Sequence, residues 1–134
     1  MRLLSLLLLL LPFVGRAQST VVSTTVVISQ IYGGGGNSGA TFRSDYIELH
    51  NISTVSQMLN GYSVQYNSAT GAGSYQVTAL PAAVTIPAGG YYLIQEASNG
   101  TTTPVLSPAG DVTGTINMSA STGKVVLLPK NWTV

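Results

Sequence analysis

Short β-rich runs, broken by glycine, proline and asparagine, constrain this chain more than any other feature of its sequence. They recur from residue 26 to residue 128, and no stretch in that range repeats apolar residues with the 3.6-residue period of a helix. Two of the runs, 45–50 and 60–66, alternate their side chains as half-buried strands do. The pattern therefore predicts an all-β sandwich or barrel.

Seven segments are predicted as strands, namely 26–32, 45–50, 60–66, 75–78, 91–95, 115–118 and 124–128. The segment 91–95 is apolar on both faces, which is typical of a central strand. Residues 119–123 form a short polar connection between the last two segments, so we expect 115–118 and 124–128 to pair as a final hairpin.

The first 17 residues have the features of a secretory signal peptide. Arg2 precedes an apolar run from Leu3 to Val14, and Gly15 and Ala17 place small residues at the −3 and −1 positions of a cleavage site. We expect cleavage between Ala17 and Gln18. The apolar run is too short for a bilayer, which needs about 20 apolar residues, so no membrane span is expected after cleavage. The mature protein is then secreted, extracellular, periplasmic or held at the cell surface.

Cleavage leaves enough chain for one domain, with residues 18–25 as a polar leader and 26–134 as a β-sandwich. Three basic residues then remain against four acidic ones: Arg43, Lys124 and Lys130 against Asp45, Glu48, Glu96 and Asp111. The net charge thus changes from +1 to −1, and no basic cluster is left to neutralise the phosphates of a nucleic acid. The chain has no cysteine, so no disulfide supports the fold.

The glycine-rich segment at 33–39 matches a dinucleotide-binding fingerprint in its letters, since Gly34, Gly36 and Gly39 have the required spacing. That fingerprint needs a helix directly after the loop to hold the pyrophosphate. Here the predicted strand 45–50 follows instead. We interpret the segment as a flexible connection between two strands, and we expect no cofactor.

Groups that could carry out catalysis are few. His50 is the only histidine, and alternation places it beside Glu48 on a solvated strand face. One imidazole does not complete a zinc site or a catalytic triad. A calcium site built from carboxylates and loop carbonyls stays open, as does a glycosidase pair of Glu48 and Glu96. The seven tyrosines also leave a carbohydrate-stacking platform open. Our prediction is a protein without catalytic or metal-binding residues.

Four Asn-x-Ser/Thr triplets predict glycosylation if the host is a eukaryote, and their acceptors are Asn51, Asn99, Asn117 and Asn131. In a bacterium these triplets carry no meaning. A chain so rich in serine, threonine and asparagine also produces such triplets by chance.

An ordered series of segments resembles the lamin tail domain in the form found in bacterial exported proteins. The matching segments are 27–40, 45–51, 59–66, 86–96, 114–119 and 123–127. The resemblance implies an immunoglobulin-like β-sandwich without catalytic residues. Similar domains mediate protein and chromatin contacts in nuclear lamins. In bacterial exported proteins they often accompany a hydrolase domain of the endonuclease/exonuclease/phosphatase type.

The resemblance implies a non-catalytic secreted interaction module that acts in adhesion, envelope association or targeting, with an unknown protein or surface ligand as its partner. The alternative is the N-terminal accessory domain of an exported hydrolase of the type just named. Related domains continue past the strand that ends here at Leu127 into one more strand. We therefore expect a sandwich that lacks its last strand and associates with itself edge to edge.

Overall fold

The computed structural model describes residues 25–101, 103–129 and 131–132. The predicted signal peptide, its cleavage position between Ala17 and Gln18, and residues 18–24 of the leader lie outside this range. The described part contains no helix and nine strands: β1 (Val26–Tyr32), β2 (Ser44–Asn51), β3 (Gln57–Met58), β4 (Tyr62–Asn67), β5 (Gln76–Ala79), β6 (Thr85–Ile86), β7 (Tyr91–Ser98), β8 (Val112–Thr113) and β9 (Lys124–Pro129).

Two sheets face each other across the core. The larger sheet has the order β1-β2-β7-β8, and its β7–β8 pairing is parallel whereas its other pairings are antiparallel. The smaller sheet has the order β5-β4-β9 and is antiparallel, while β3 and β6 form a separate two-stranded pair. This architecture is consistent with the predicted immunoglobulin-like β-sandwich.

The alternation in the sequence correctly predicts which side chains form the core. Ile47, Leu49 and Ile94 of the larger sheet are fully buried and pack in one cluster with Val64 and Tyr66 of the smaller sheet. Their burial supplies the main driving force for pairing the sheets, at about 25 cal/mol per Å² of apolar surface. β7 lies between β2 and β8, so the prediction of a central strand at 91–95 is confirmed.

The predicted final hairpin is wrong. β9 pairs with β4, and residues 115–118 form no strand. Residues 114–119, which we call the bridging segment, lie between the two sheets because side chains of both sheets accept their N–H groups. These four bonds run from Ile116 to Glu96, from Met118 to Asp45, from Asn117 to Gln76 and from Ser119 to Tyr66. Apolar alternation reports burial and not the backbone partner, so it cannot distinguish this arrangement from a ladder.

The glycine-rich loop is packed against the domain and is not the flexible connection that the sequence suggested. Gly34 donates to the Met118 carbonyl at 3.1 Å, and Gly36 donates to the Phe42 carbonyl at 2.9 Å. Gly36 has a φ of 76°, and a Cβ at this position would overlap the backbone of Asn99. The loop leads directly into β2, which begins at Ser44, and not into the helix that a dinucleotide site requires.

Candidate functional site

A groove of about 390 Å³ crosses the outer face of the larger sheet, and we call it the outer groove. Its floor is formed by Gln30, Glu48 and Leu93, which stand side by side on β1, β2 and β7 because the strand register pairs them. The segment 106–111 closes one side. The volume lies within the range of about 300–1,000 Å³ that is usual for ligand pockets.

Aromatic rings flank this row of residues. Tyr46 and Phe42 line the groove in one direction along the strands, and Tyr91 lines it in the other. Tyr46 stacks on Tyr32 with a centroid distance of 5.3 Å, and Phe42 meets both rings edge to face. Tyr91 stacks on His50 at 4.2 Å. Because each ring is held by a second ring, the aromatic walls are organised before any ligand arrives.

Two carboxylates, those of Glu48 and Asp111, also line the groove. Glu48 accepts a hydrogen bond of 2.7 Å from the Ser29 hydroxyl, and Asp111 accepts one of 2.7 Å from the Leu93 N–H. Within the described residues neither carboxylate forms an ion pair, and the groove lining contains no lysine, arginine or histidine. The described lining of the groove therefore carries a negative charge without a cation beside it.

The charges of the two carboxylates contribute to raised pKa values of two nearby tyrosines. Burial and, after it, the charge of Glu48 raise the pKa of the Tyr46 hydroxyl above its ordinary value. Burial and the charge of Asp111 raise the pKa of the Tyr92 hydroxyl in the same way. Burial is the larger cause in both cases, and the nearby carboxylates add to it.

The other two carboxylates, those of Glu96 and Asp45, are buried inside the domain and accept hydrogen bonds from backbone N–H groups. Glu96 is 1% exposed, accepts from the Thr78 hydroxyl at 2.8 Å and from the Ile116 N–H at 3.0 Å, and burial raises its pKa to about 7. Asp45 accepts from the N–H groups of Gly35 and Met118, both at 2.6 Å, and burial raises its pKa as well. Both carboxylates accept hydrogen bonds from the bridging segment, and neither lines the outer groove.

The glycosidase pair considered from the sequence does not form. Glu48 pairs across the strands with Leu93, so it points to the outer face, whereas Glu96 points inward with Ile94. The sheet separates the two carboxylates, and a scissile bond cannot lie between them.

His50 lies half-buried beneath Tyr91, not in a metal site. No group of three or more His, Cys, Asp or Glu that could hold a metal ion occurs in the part of the chain that the structure describes. In the same residues, no helix is long and apolar enough to cross a membrane.

Asn51 has a structural role that the sequence analysis missed. Its side chain is fully buried, and its amide nitrogen lies 2.8–2.9 Å from three carbonyl oxygens, those of Val55, Ile86 and Pro87. Its carbonyl oxygen accepts from the backbone N–H and the hydroxyl of Ser53. A polar residue that ends a strand before a turn often bonds to backbone in this way, which was the available signal.

This position makes Asn51 unsuitable as a glycosylation acceptor, because a glycan on its amide nitrogen would break the hydrogen bonds just described. Asn117 and Asn131 are exposed and Asn99 is partly exposed, so these three have room for a glycan. Their modification stays a prediction.

The outer groove itself was also missed by sequence reasoning. Phe42, Tyr91, Leu106 and Asp111 come from four separate segments, and only the fold brings them together. The one signal was the alternation in β2, which predicts that Glu48 points away from the core.

Residues 20–131 match the family model described as Lamin Tail Domain. The match covers all nine strands, the outer groove and the bridging segment. A search of curated protein sequences returned no match. The resemblance proposed from the sequence is confirmed.

Proposed function

Since this chain belongs to the lamin tail domain family, whose immunoglobulin-like domains are non-catalytic, we propose that it is an exported binding module. Its role is adhesion, envelope association or targeting, outside the cell or at the cell surface. The signal-peptide pattern of residues 1–17 supports the location.

The outer groove is the single observation that carries this proposal. It joins aromatic side chains, a partly apolar floor and two carboxylates without ion pairs in one cavity. Aromatic residues are enriched where proteins bind partners, and Tyr91 exposes 58% of its surface there. Tyr91 does not belong to the core cluster, so packing of the core does not explain why a tyrosine stands at this position.

We propose further that the domain catalyses no reaction. Asp45 and Glu96 accept hydrogen bonds from backbone N–H groups, and His50 is stacked under a ring. The hydroxyls of Ser29 and Thr78 donate to Glu48 and Glu96, but in the described residues no third group orients either pair as a catalytic triad requires. The alternative, an accessory domain of an exported hydrolase, stays a prediction. The coding sequence beyond codon 134 tests it directly.

The binding proposal is tested with the exported full chain, labelled with a fluorophore and sedimented with cell envelopes of the producing organism. Tyr91→Ser should reduce the bound fraction several-fold, because it removes an exposed ring from the groove. Val77→Ser, at an exposed position on β5 of the other sheet, is the matched control and should bind like the wild type.

Equal binding by the two variants, with equal melting temperatures, would contradict the groove as the binding surface. Hydrolysis of DNA or of a simple phosphodiester by the purified chain in the presence of Mg²⁺ would contradict the absence of catalysis.

A further inference from the structure

We infer that the outer groove binds the cationic side chain of a lysine or arginine in a protein partner. This inference rests on the proposed binding function and adds the chemistry of the ligand.

The charge of the groove calls for a cation. Glu48 and Leu93 are paired across neighbouring strands, and the Asp111 carboxylate sits on the Leu93 N–H. Strands are about 4.8 Å apart, so the two carboxylates lie on the order of 10 Å from each other. A cation between them would lie about 5 Å from each carboxylate, which is within the Debye length of about 8 Å at physiological salt, so both charges would attract it. The described lining contains no cationic residue, so a cationic ligand would be attracted by both carboxylates without competition from a cation of the lining.

The aromatic walls favour an organic cation over a metal ion. Calcium takes six to eight oxygen ligands, and two carboxylates on different elements, on the order of 10 Å apart, do not provide such a cage. An ammonium or guanidinium group instead gains energy when it lies within about 6 Å of a tyrosine or phenylalanine ring. Tyr46, Phe42 and Tyr91 offer such rings on both sides of Glu48.

The apolar part of the groove matches the stem of such a side chain. Leu93 is on the floor, and Leu106 and Pro108 are on the side closed by the segment 106–111. Lysine and arginine lay their methylene stems along apolar surface while the charged group reaches polar partners. One long cationic side chain therefore uses the rings, the carboxylates and the apolar wall together, which an anion cannot do.

The inference is tested by titrating the ¹⁵N-labelled mature chain, followed by nuclear magnetic resonance. The probes are N-acetyl-lysine methylamide and N-acetyl-arginine methylamide, and N-acetyl-norleucine methylamide is the control with an equal stem and no charge. The cationic probes should shift the amides of Glu48, Tyr91 and Leu93 with a Kd on the order of 1–10 mM. The norleucine compound should bind more weakly, and 0.5 M NaCl should weaken the cationic probes.

Two variants test the carboxylates. Glu48→Gln and Asp111→Asn should each weaken binding of the cationic probes roughly 2- to 5-fold, as expected for partly exposed charge pairs. Thr70→Lys, on the exposed connection between β4 and β5, changes the net charge equally at a distance and should leave the Kd unchanged. The same spectra show that each variant is folded.

The possible results separate this inference from the proposed function. If the norleucine compound binds as well as the lysine compound, the inference is wrong. If a neutral oligosaccharide such as cellohexaose shifts the groove amides and the cationic probes do not, the inference is also wrong, although the groove remains a binding site. If no probe shifts these amides and Tyr91→Ser binds envelopes like the wild type, both proposals fail.

Discussion

The buried Glu96 carboxyl predicts that the domain loses stability as the pH rises toward 7. Burial raises the pKa of Glu96 from 4.5 to about 7, and the charge of Asp45 contributes in the same direction. The hydrogen bonds from the Ile116 N–H and the Thr78 hydroxyl act against this shift without cancelling it. The second carboxylate oxygen of Glu96 is buried and has no hydrogen-bond partner, which adds to the cost of its ionised form.

The sign and size of the effect follow from proton linkage. The folded chain holds the Glu96 proton more tightly than the unfolded chain, so the free energy of unfolding falls as pH rises between the two pKa values. The stabilisation is complete below the ordinary pKa of 4.5 and is lost once the pH passes about 7. At about 1.4 kcal/mol per pH unit, the loss over this interval is up to about 3 kcal/mol. This is a large part of the 5–15 kcal/mol that is usual for a domain.

Urea unfolding of the mature chain between pH 4.5 and 8, followed by far-ultraviolet circular dichroism, measures this loss. Glu96→Gln keeps an oxygen that can accept from Thr78 and Ile116 but removes the titration, so its stability should change much less with pH. A weaker slope should remain, because burial also raises the pKa of Asp45. Glu48→Gln, which removes a carboxylate of the outer groove, should keep the wild-type slope.

A stability that stays constant or rises between pH 5 and 7 in the wild type would refute this reasoning. A Glu96→Gln variant with the full wild-type slope would refute the assignment of the effect to Glu96.

Three further predictions concern other parts of the chain. Asn51→Ala should cost about 3 kcal/mol in urea unfolding, since the Ile86 carbonyl in a buried bond and the Val55 and Pro87 carbonyls in part-buried bonds lose their donor. Gly36→Ala should lower the melting temperature much more than Gly39→Ala; both glycines have positive φ, but a Cβ at Gly39 meets open space. Equal costs would contradict the packed loop. N-terminal sequencing of exported protein should begin at Gln18, and an intact N-terminus in a membrane fraction would contradict cleavage.

Six of the seven predicted strands correspond to the longer strands of the structure, because alternation reports burial directly, whereas the two-residue strands β3, β6 and β8 were not predicted. The segment 26–32 coincides with β1, and Ile47, Leu49 and Val64 point into the core as expected. Tyr46 is buried although it points to the outer face, because Tyr32 and Phe42 cover it. This cover comes from the cross-strand partner Tyr32 and from Phe42 in the loop before β2, and the periodicity of β2 contains no information about either.

The partners of the strands were less predictable. The hairpin of 115–118 with 124–128 is the simplest local pairing, yet β9 pairs with β4, which lies about sixty residues earlier in the chain. The bridging segment forms no strand, because side chains instead of a neighbouring strand accept the N–H groups of residues 116–119. The sequence alone does not show that an inward carboxylate, such as that of Asp45, will accept a hydrogen bond that a neighbouring strand would otherwise accept.

The four carboxylates of the domain fall into two pairs according to the face of the sheet on which they lie. Asp45 and Glu96 share the inner positions of β2 and β7 and bind backbone donors, whereas Glu48 points outward, where it lines the outer groove with Asp111. Asp45 and Glu48 are three positions apart on β2, an odd number, so the alternation of the strand directs them to opposite faces. Loss of an inner carboxylate should therefore change stability and its pH dependence, and loss of Glu48 should change binding more than stability. The strand period separates these two functions on β2, whereas Asp111 reaches the groove from the segment before β8 and also accepts a hydrogen bond from the Leu93 N–H.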